Sequence, residues 1–241
     1  MIKLWQVAVF AMALVGFLVV RAPASLIVRP SPSFTYAEAE GTIWQARFSG
    51  ARIAGLNAGV MSADVSAMGL VQGKLDMPFS VSGADLEGRG RILANLEGDR
   101  RIVIAHAVLN SAPMGTIVLS GKTEFRDLDI FFRNGRCSMA QGAASSDVLQ
   151  RNAAVFGGSA PILTGQAACV GDHAEITMSG SEAGRSYLVT LVLRGDGAGE
   201  ARAVVGPTPA EVLATLGSMG FSPDPATGGA LLRRDFRWLP H

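Results

Sequence analysis

From Thr42 onward the chain alternates apolar and polar residues with a period of two. Trp44, Ala46 and Phe48 fall on one side, with Gln45, Arg47 and Ser49 on the other. Leu75, Met77, Phe79 and Val81 alternate with Lys74, Asp76, Pro78 and Ser80. The next run sets Leu86, Gly88, Gly90, Ile92, Ala94 and Leu96 against Glu87, Arg89, Arg91, Asn95 and Glu97, broken only by Leu93. Later, Ala174, Ile176 and Met178 alternate with Glu175, Thr177 and Ser179. Successive side chains of a strand point to opposite faces, so each run predicts a strand with one covered and one wet face, the mark of an antiparallel sheet. Residues 101–109 and 187–193 are apolar on both faces and predict strands in the middle of the sheet. Glu97-Gly98-Asp99-Arg100 and Arg194-Gly195-Asp196-Gly197 read as turns between strands. The strands recur about every 12 residues, which predicts a long meander. Pro78 cannot donate to a ladder, so its strand is expected at an edge or with Pro78 at an unpaired position.

Two helices are predicted in the body. Thr208-Pro209-Ala210-Glu211 has the form of a capping box with proline in the first turn, followed by an apolar stripe of Val212, Leu213, Leu216 and Met219. Gly220 is placed to end that helix. A weaker helix spans 147–156 with Ser146 as its cap, and a loop reads almost as well. Two β halves meeting near 140–160 and one continuous sheet fit the pattern equally.

The N-terminal pattern is different. Residues 4–20 form a nearly unbroken apolar run, interrupted only by Gln6, with Lys3 before it and Arg21 and Arg29 after it. As a helix it spans about 25 Å, at the short end of what crosses a bilayer. The leading expectation is an uncleaved anchor at 4–20 with a cytoplasmic tail at 1–3. The competing one is a cleaved signal peptide, with Ala22-Pro23-Ala24 as the cut site; a buried core helix is a third. The first two place the body outside the cytoplasm. Pro23, Pro30 and Pro32 then predict a stiff extended linker over 21–39, and the β-rich domain runs from 40 to 241.

Composition narrows the function more than it defines it. Charged residues make up 17% of the 241 and glycine 29 positions, which suits a turn-rich β protein better than a helical bundle. Lys plus Arg is 21 and Asp plus Glu is 20, so no basic excess supports nucleic-acid binding. Cys137 and Cys169 are the only cysteines. In an oxidising compartment their leading reading is a bridge, with two separate buried thiols as the alternative.

Candidate chemistry is sparse. His106, His173 and His241 have no ligand partners at usual spacing, and neither cysteine reads as a nucleophilic thiol. No Gly-x-Ser-x-Gly elbow, phosphate loop or dinucleotide fingerprint is present. Gly88-Arg89-Gly90 lies inside an alternating strand and reads as a bulge or close-packing site. Asp127 and Asp129 read as a solvated edge pair, and Arg233-Arg234 as a solvated turn before a last strand with Phe236 and Trp238 inward. Trp44 reads as a core aromatic at the start of its strand or as part of a binding surface.

Gly41-Thr42-Ile43-Trp44, Gly135-Arg136-Cys137, Ala168-Cys169, the run 191–197, Pro207 to Pro209 and Leu216 to Phe221 occur in an order that resembles the type II secretion system protein N family. The family's Trp-containing strand after the first hairpin has no counterpart here, since 69–78 contains no Trp. The resemblance implies a single-pass inner-membrane protein with a periplasmic β-rich domain and a long curved sheet similar to AsmA-like envelope proteins. It implies a non-enzymatic accessory, with no catalytic residues, metal or cofactor. Other secretion subunits and inner-membrane lipid are the expected partners; a small-molecule substrate is not. Two expectations remain. One is a subunit that binds protein partners through sheet edges; the other is a carrier for an apolar ligand, with Leu75, Phe79, Leu86, Ile92 and Leu96 on its face.

Overall fold

The computed structural model describes residues 21–237 apart from 27, 29, 32–33, 54 and 115–116. The apolar run at 4–20, Trp238 and His241 lie outside the described residues. Among the described residues no helix is long and apolar enough to cross a membrane.

The alternating segments fold as strands, and so do the doubly apolar ones. In chain order they are β1 (Phe34–Thr35), β2 (Glu38–Gly41), β3 (Gln45–Ile53), β4 (Leu56–Asp64), β5 (Lys74–Ser82), β6 (Leu86–Asn95), β7 (Arg100–Met114) and β8 (Ile117–Arg133). They continue with β9 (Arg136–Ser146), β10 (Leu163–Val170), β11 (His173–Glu182), β12 (Arg185–Leu193), β13 (Ala198–Gly206), β14 (Ser222–Asp224) and β15 (Gly229–Arg237). All belong to one antiparallel sheet. β3 to β13 follow each other in chain order, then come β15 and β14, while β1 and β2 both pair with β3. The alternative of two β halves is therefore excluded, and the meander expectation holds from β3 to β13. The two doubly apolar segments lie in β7 and β12, both interior strands.

Because every pair is antiparallel and nearly in register, side chains line up across the sheet. Phe48 faces Met61, Met61 faces Val81 and Val81 faces Gly88. Further on, Ile176 faces Leu191, Leu191 faces Ala201, and Val205 faces Ala230. One face is thus apolar from end to end. It is buried in two clusters. The first holds Phe48, Ala51, Ala58 and Val81 with Ala24. The larger one lies over β8–β15 and includes Leu128, Ile130, Phe132, Ile176, Met178, Tyr187 and Leu232.

The large cluster is covered by the two longest insertions among the described residues. Between β9 and β10 the chain forms α2 (Val148–Arg151) and a 3-10 turn (Ala153–Phe156), which bury Val148, Leu149 and Phe156. The helix predicted over 147–156 is thus broken at Asn152, whose side-chain amide donates to the carbonyls of Ser120 and Val148. α3 (Ala210–Ser218) adds the buried Leu216, followed by Met219 and Phe221. Its start differs from expectation. Pro209 holds the N-cap position, and Thr208 makes no cap because its hydroxyl donates to Val205 O at 3.0 Å and its N–H to Gly228 O. Its end is as expected. Gly220 has φ +92° and donates to Gly217 O, and Phe221 donates to Leu216 O. That double bond closes the helix, and Leu216 and Phe221 are both buried in the large cluster.

Several local expectations are corrected. The proline-containing segment does not stand away from the body as a linker. Ala24 is buried, β1 and β2 pair with β3, and Phe34, Tyr36 and Phe48 pack ring against ring at centroid distances of 5.2–5.7 Å. Pro78 is an exception, because it meets the second of its two expectations: its strand is interior, opposite Arg91, but the β4 ladder stops next to it at Ala63–Phe79, so its missing N–H costs no bond there. Asp127 and Asp129 do not share a wet edge. Asp127 sits at φ +50° in a bulge, while Asp129 is buried and accepts both Arg101 Nε (2.8 Å) and Nη2 (2.6 Å). Arg233 and Arg234 lie inside β15 rather than in a turn. Arg233 joins Arg202 and Arg194 around Glu200, which is 2% exposed, with the nearest contact at 2.8 Å.

Cys137 and Cys169 are bridged, with Cα atoms 5.6 Å apart. The bridge replaces missing hydrogen bonds. The β9–β10 ladder runs only from Ser146–Leu163 to Ala143–Gln166, and the strands are unpaired below it, where the disulfide joins them. The bond closes a loop with a sequence separation of 32. Chain-entropy reasoning then gives a contribution of about 3.7 kcal/mol. The double change Cys137→Ser and Cys169→Ser is expected to lower the unfolding free energy by that amount, measured from the midpoint and slope of urea unfolding. Equal stability of the variant and the bridged protein would contradict this.

Candidate binding surface

The residues expected on one apolar face are set by the register of β5–β7. Leu75 faces Ala94, Met77 faces Ile92, and Ile92 faces Ile102 on β7. Ile102 in turn faces Ile130 on β8. This row changes character along its length. Met77, Ile92 and Ile102 are half-buried, whereas Ile130 is fully buried under the large cluster. Phe79 and Leu86 lie on the same face and pack against the smaller cluster. Leu75, Met77, Ile92 and Ile102 belong to neither cluster. A partly open apolar strip therefore separates two closed cores.

Gly90 gives that strip its shape. The register slips by one residue between Arg89 and Gly90, the bulge expected there. A Cβ on Gly90 would stand 2.8 Å from the Phe79 ring, so the ring lies over the glycine backbone. Both features anticipated for Gly88-Arg89-Gly90, a bulge and a close approach, are present.

Two of the candidate residues lie off the strip. Leu96 is one residue past β6 and 90% exposed, because the turn begins there, with Asn95 N–H bonded to Asp99 O. Trp44 sits in the bend before β3, half-buried, and its backbone N–H donates to Thr42 Oγ1. It is part of neither core cluster.

The Leu75 end of the strip, where Leu96 and the β6–β7 turn lie, is shut by curvature that the alternation does not encode. Arg100 at the start of β7 donates to Gly195 O in the β12–β13 turn, five strands away. The backbones of Gly135 and Gly195 also touch, so a side chain at Gly195 has no room. Here the turns β6–β7, β8–β9, β10–β11 and β12–β13 converge on an open cleft of about 530 Å³ lined by Glu97, Arg100, Asp172, Arg194 and Asp196 among others. Its charges are of both signs, and it presents no single-sign field.

His106 and His173 hydrogen-bond surface carboxylates. His106 Nε2 contacts Glu124 Oε1 at 2.8 Å, and Glu124 also accepts Arg126. Hydrogen bonds from Arg126 and then His106 hold the Glu124 carboxyl down at about 2. His173 contacts Glu175 at 2.9 Å and Asp172 at 3.1 Å, and these carboxylates raise its pKa. Among the described residues no group of three or more His, Cys, Asp or Glu side chains is placed to hold a metal ion.

The family model described as type II secretion system (T2SS), protein N, matches residues 32–230. That span covers most of the chain, and the protein belongs to this family. It is a component of type II secretion. No curated protein and no solved structure matches the chain.

The His173 pair has a definite pH signature. A histidine whose folded pKa is raised adds stability that is complete below its unfolded value of about 6.5 and is lost as pH rises through the folded value. His173→Gln is therefore expected to lower Tm relative to the unaltered protein below pH 6, with the gap closing on the alkaline side. A Tm gap that widens above pH 8 would contradict the assignment.

Proposed function

We propose that the protein is an accessory inner-membrane component of the type II secretion system, anchored by residues 4–20, with its body in the periplasm. It performs no chemistry. It assists the export of folded proteins from the periplasm across the outer membrane by binding other subunits of the machine. Family membership supplies the system. The observation that carries the binding mode is a free strand edge.

β15 spans nine residues, but β14 pairs only with Gly229, Ala230 and Leu231. Residues 232–237 have β13 on one side and, among the described residues, no strand on the other. The opposite end of the sheet differs, because β1 and β2 together cover most of β3. An unpaired edge is a template for a strand from another chain. Four of its residues, Arg233, Arg234, Asp235 and Arg237, are charged, which keeps the edge from pairing indiscriminately.

A second reading has its own support. The half-buried strip of Leu75, Met77, Ile92 and Ile102 fits an acyl chain or similar apolar ligand, as expected of an AsmA-like carrier. Crosslinking in living cells separates the two. A photoreactive residue in place of Asp235 is expected to give adducts with other secretion subunits. Absence of such adducts, together with phospholipid adducts from a photoreactive residue in place of Ile102, would replace the partner reading with the carrier reading.

A further inference from the structure

The first described residues are tied to one end of the sheet. Ile43 N–H donates to Ala22 O at 3.0 Å, and Pro23 bridges Thr42. The carbonyl of Trp44 accepts Val65 N–H at 2.7 Å. Ser66 follows and caps α1 (Ala67–Val71) by accepting Gly69 N–H at 3.1 Å. Beyond α1, Leu96 N–H donates to Gly73 O at 3.3 Å, and a Cβ on Gly73 would lie 2.9 Å from Leu96 Cδ1. A continuous series of contacts therefore runs from Ala22 through Trp44 and α1 to Leu96.

This end carries most of the exposed large apolar side chains among the described residues. Leu26 is 65% exposed, Met68 68%, Leu70 43%, Val71 85% and Leu96 90%. The remaining ones, Ile162, Val170, Leu188 and Phe236, are scattered over separate elements. α1 has no buried residue at all, so its apolar side chains contribute nothing to either core. Residues 65–73 contain no charge. Such a grouping on a water-facing surface marks a contact with something apolar.

The chain itself says what lies next to it. The apolar run ends at residue 20, and Ala22 is already bonded to the sheet. Two residues span at most about 7 Å. The chain therefore enters the described fold at Ala22, beside Ile43, with at most that span between the apolar run and the sheet. A half-buried tryptophan at this height suits the headgroup region, where an aromatic with an N–H is favoured.

We propose that this end of the sheet, through α1, Leu26 and Leu96, inserts into the interfacial layer of the bilayer that holds residues 4–20. The strands then stand on the membrane with the β11–β12 turn at the far end, instead of hanging from a free linker. The inference rests on the anchor in the proposed function and adds a second, independent point of attachment.

The test uses the full chain in nanodiscs of phosphatidylethanolamine and phosphatidylglycerol. Val71, Leu96 and Glu182 are replaced singly by benzoylphenylalanine, and lipid adducts are counted by mass spectrometry after illumination. Glu182 is at the opposite end of the strands and serves as the reference. Lipid adducts at 71 and 96 are expected to exceed those at 182 by at least tenfold. Equal yields at all three positions, with the chain retained in the disc, would overturn the seating and leave the anchor standing. Adducts with a second copy of the chain at 71 and 96 would also overturn it. A chain that does not associate with the disc would overturn the anchor and the seating together.

Discussion

A single sheet of fifteen strands cannot cover its own apolar face, and most of the molecule follows from that constraint. Antiparallel pairing, interrupted by a few bulges, brings Phe48, Val81, Ile102, Ile130, Ile176 and Val205 onto the same side. Leaving that side wet costs about 25 cal/mol for each Å². The chain solves the problem twice, by different means. At the N-terminal end it folds its own leading segment back, with Ala24, Phe34 and Tyr36 against Phe48. At the C-terminal end it curls β8–β15 around Phe156, Leu216 and Phe221. Neither solution covers Leu75, Met77, Ile92 and Ile102 in β5–β7, and the open strip is what remains between them.

The curl needs fasteners because a splayed sheet loses ladder hydrogen bonds. The disulfide acts where β9 and β10 part, and Arg100 acts where the β6–β7 and β12–β13 turns meet. On the outer face, Glu200 gathers three arginines and Asp129 takes a two-pronged bond from Arg101. A buried carboxylate is tolerable only with such partners, and these pairs fix register between β13 and β15 and between β7 and β8. The functional features lie where fastening stops: the edge of β15, the strip over β5–β7, and the apolar end around α1.

Strand identity and facing were legible in the sequence because a period of two leaves one choice of face. Leu75, Phe79 and Ile92 stand on the expected side, and Gly88-Arg89-Gly90 holds the expected bulge. The two cysteines pair as compartment and number implied. What the pattern did not carry is long-range closure. Nothing in Gly135 or Gly195 announces that their turns will touch, and nothing in 21–39 distinguishes a linker from a segment paired with β3. Leu96 continues the alternation by one residue too far, since a turn's hydrogen bonds, not hydropathy, decide where a strand ends. α1 was missed because its five residues give no helical period to read.

One continuous sheet from β3 to β15 underlies the whole fold, and hydrogen exchange read by mass spectrometry tests it most directly. The full chain in detergent micelles is expected to protect the amides of β6, β7, β8 and β9 as strongly as those of β11 and β12, and to release them together as denaturant is added. Independent opening of β3–β6 and β10–β15, with fast exchange across β7–β9, would contradict a single sheet.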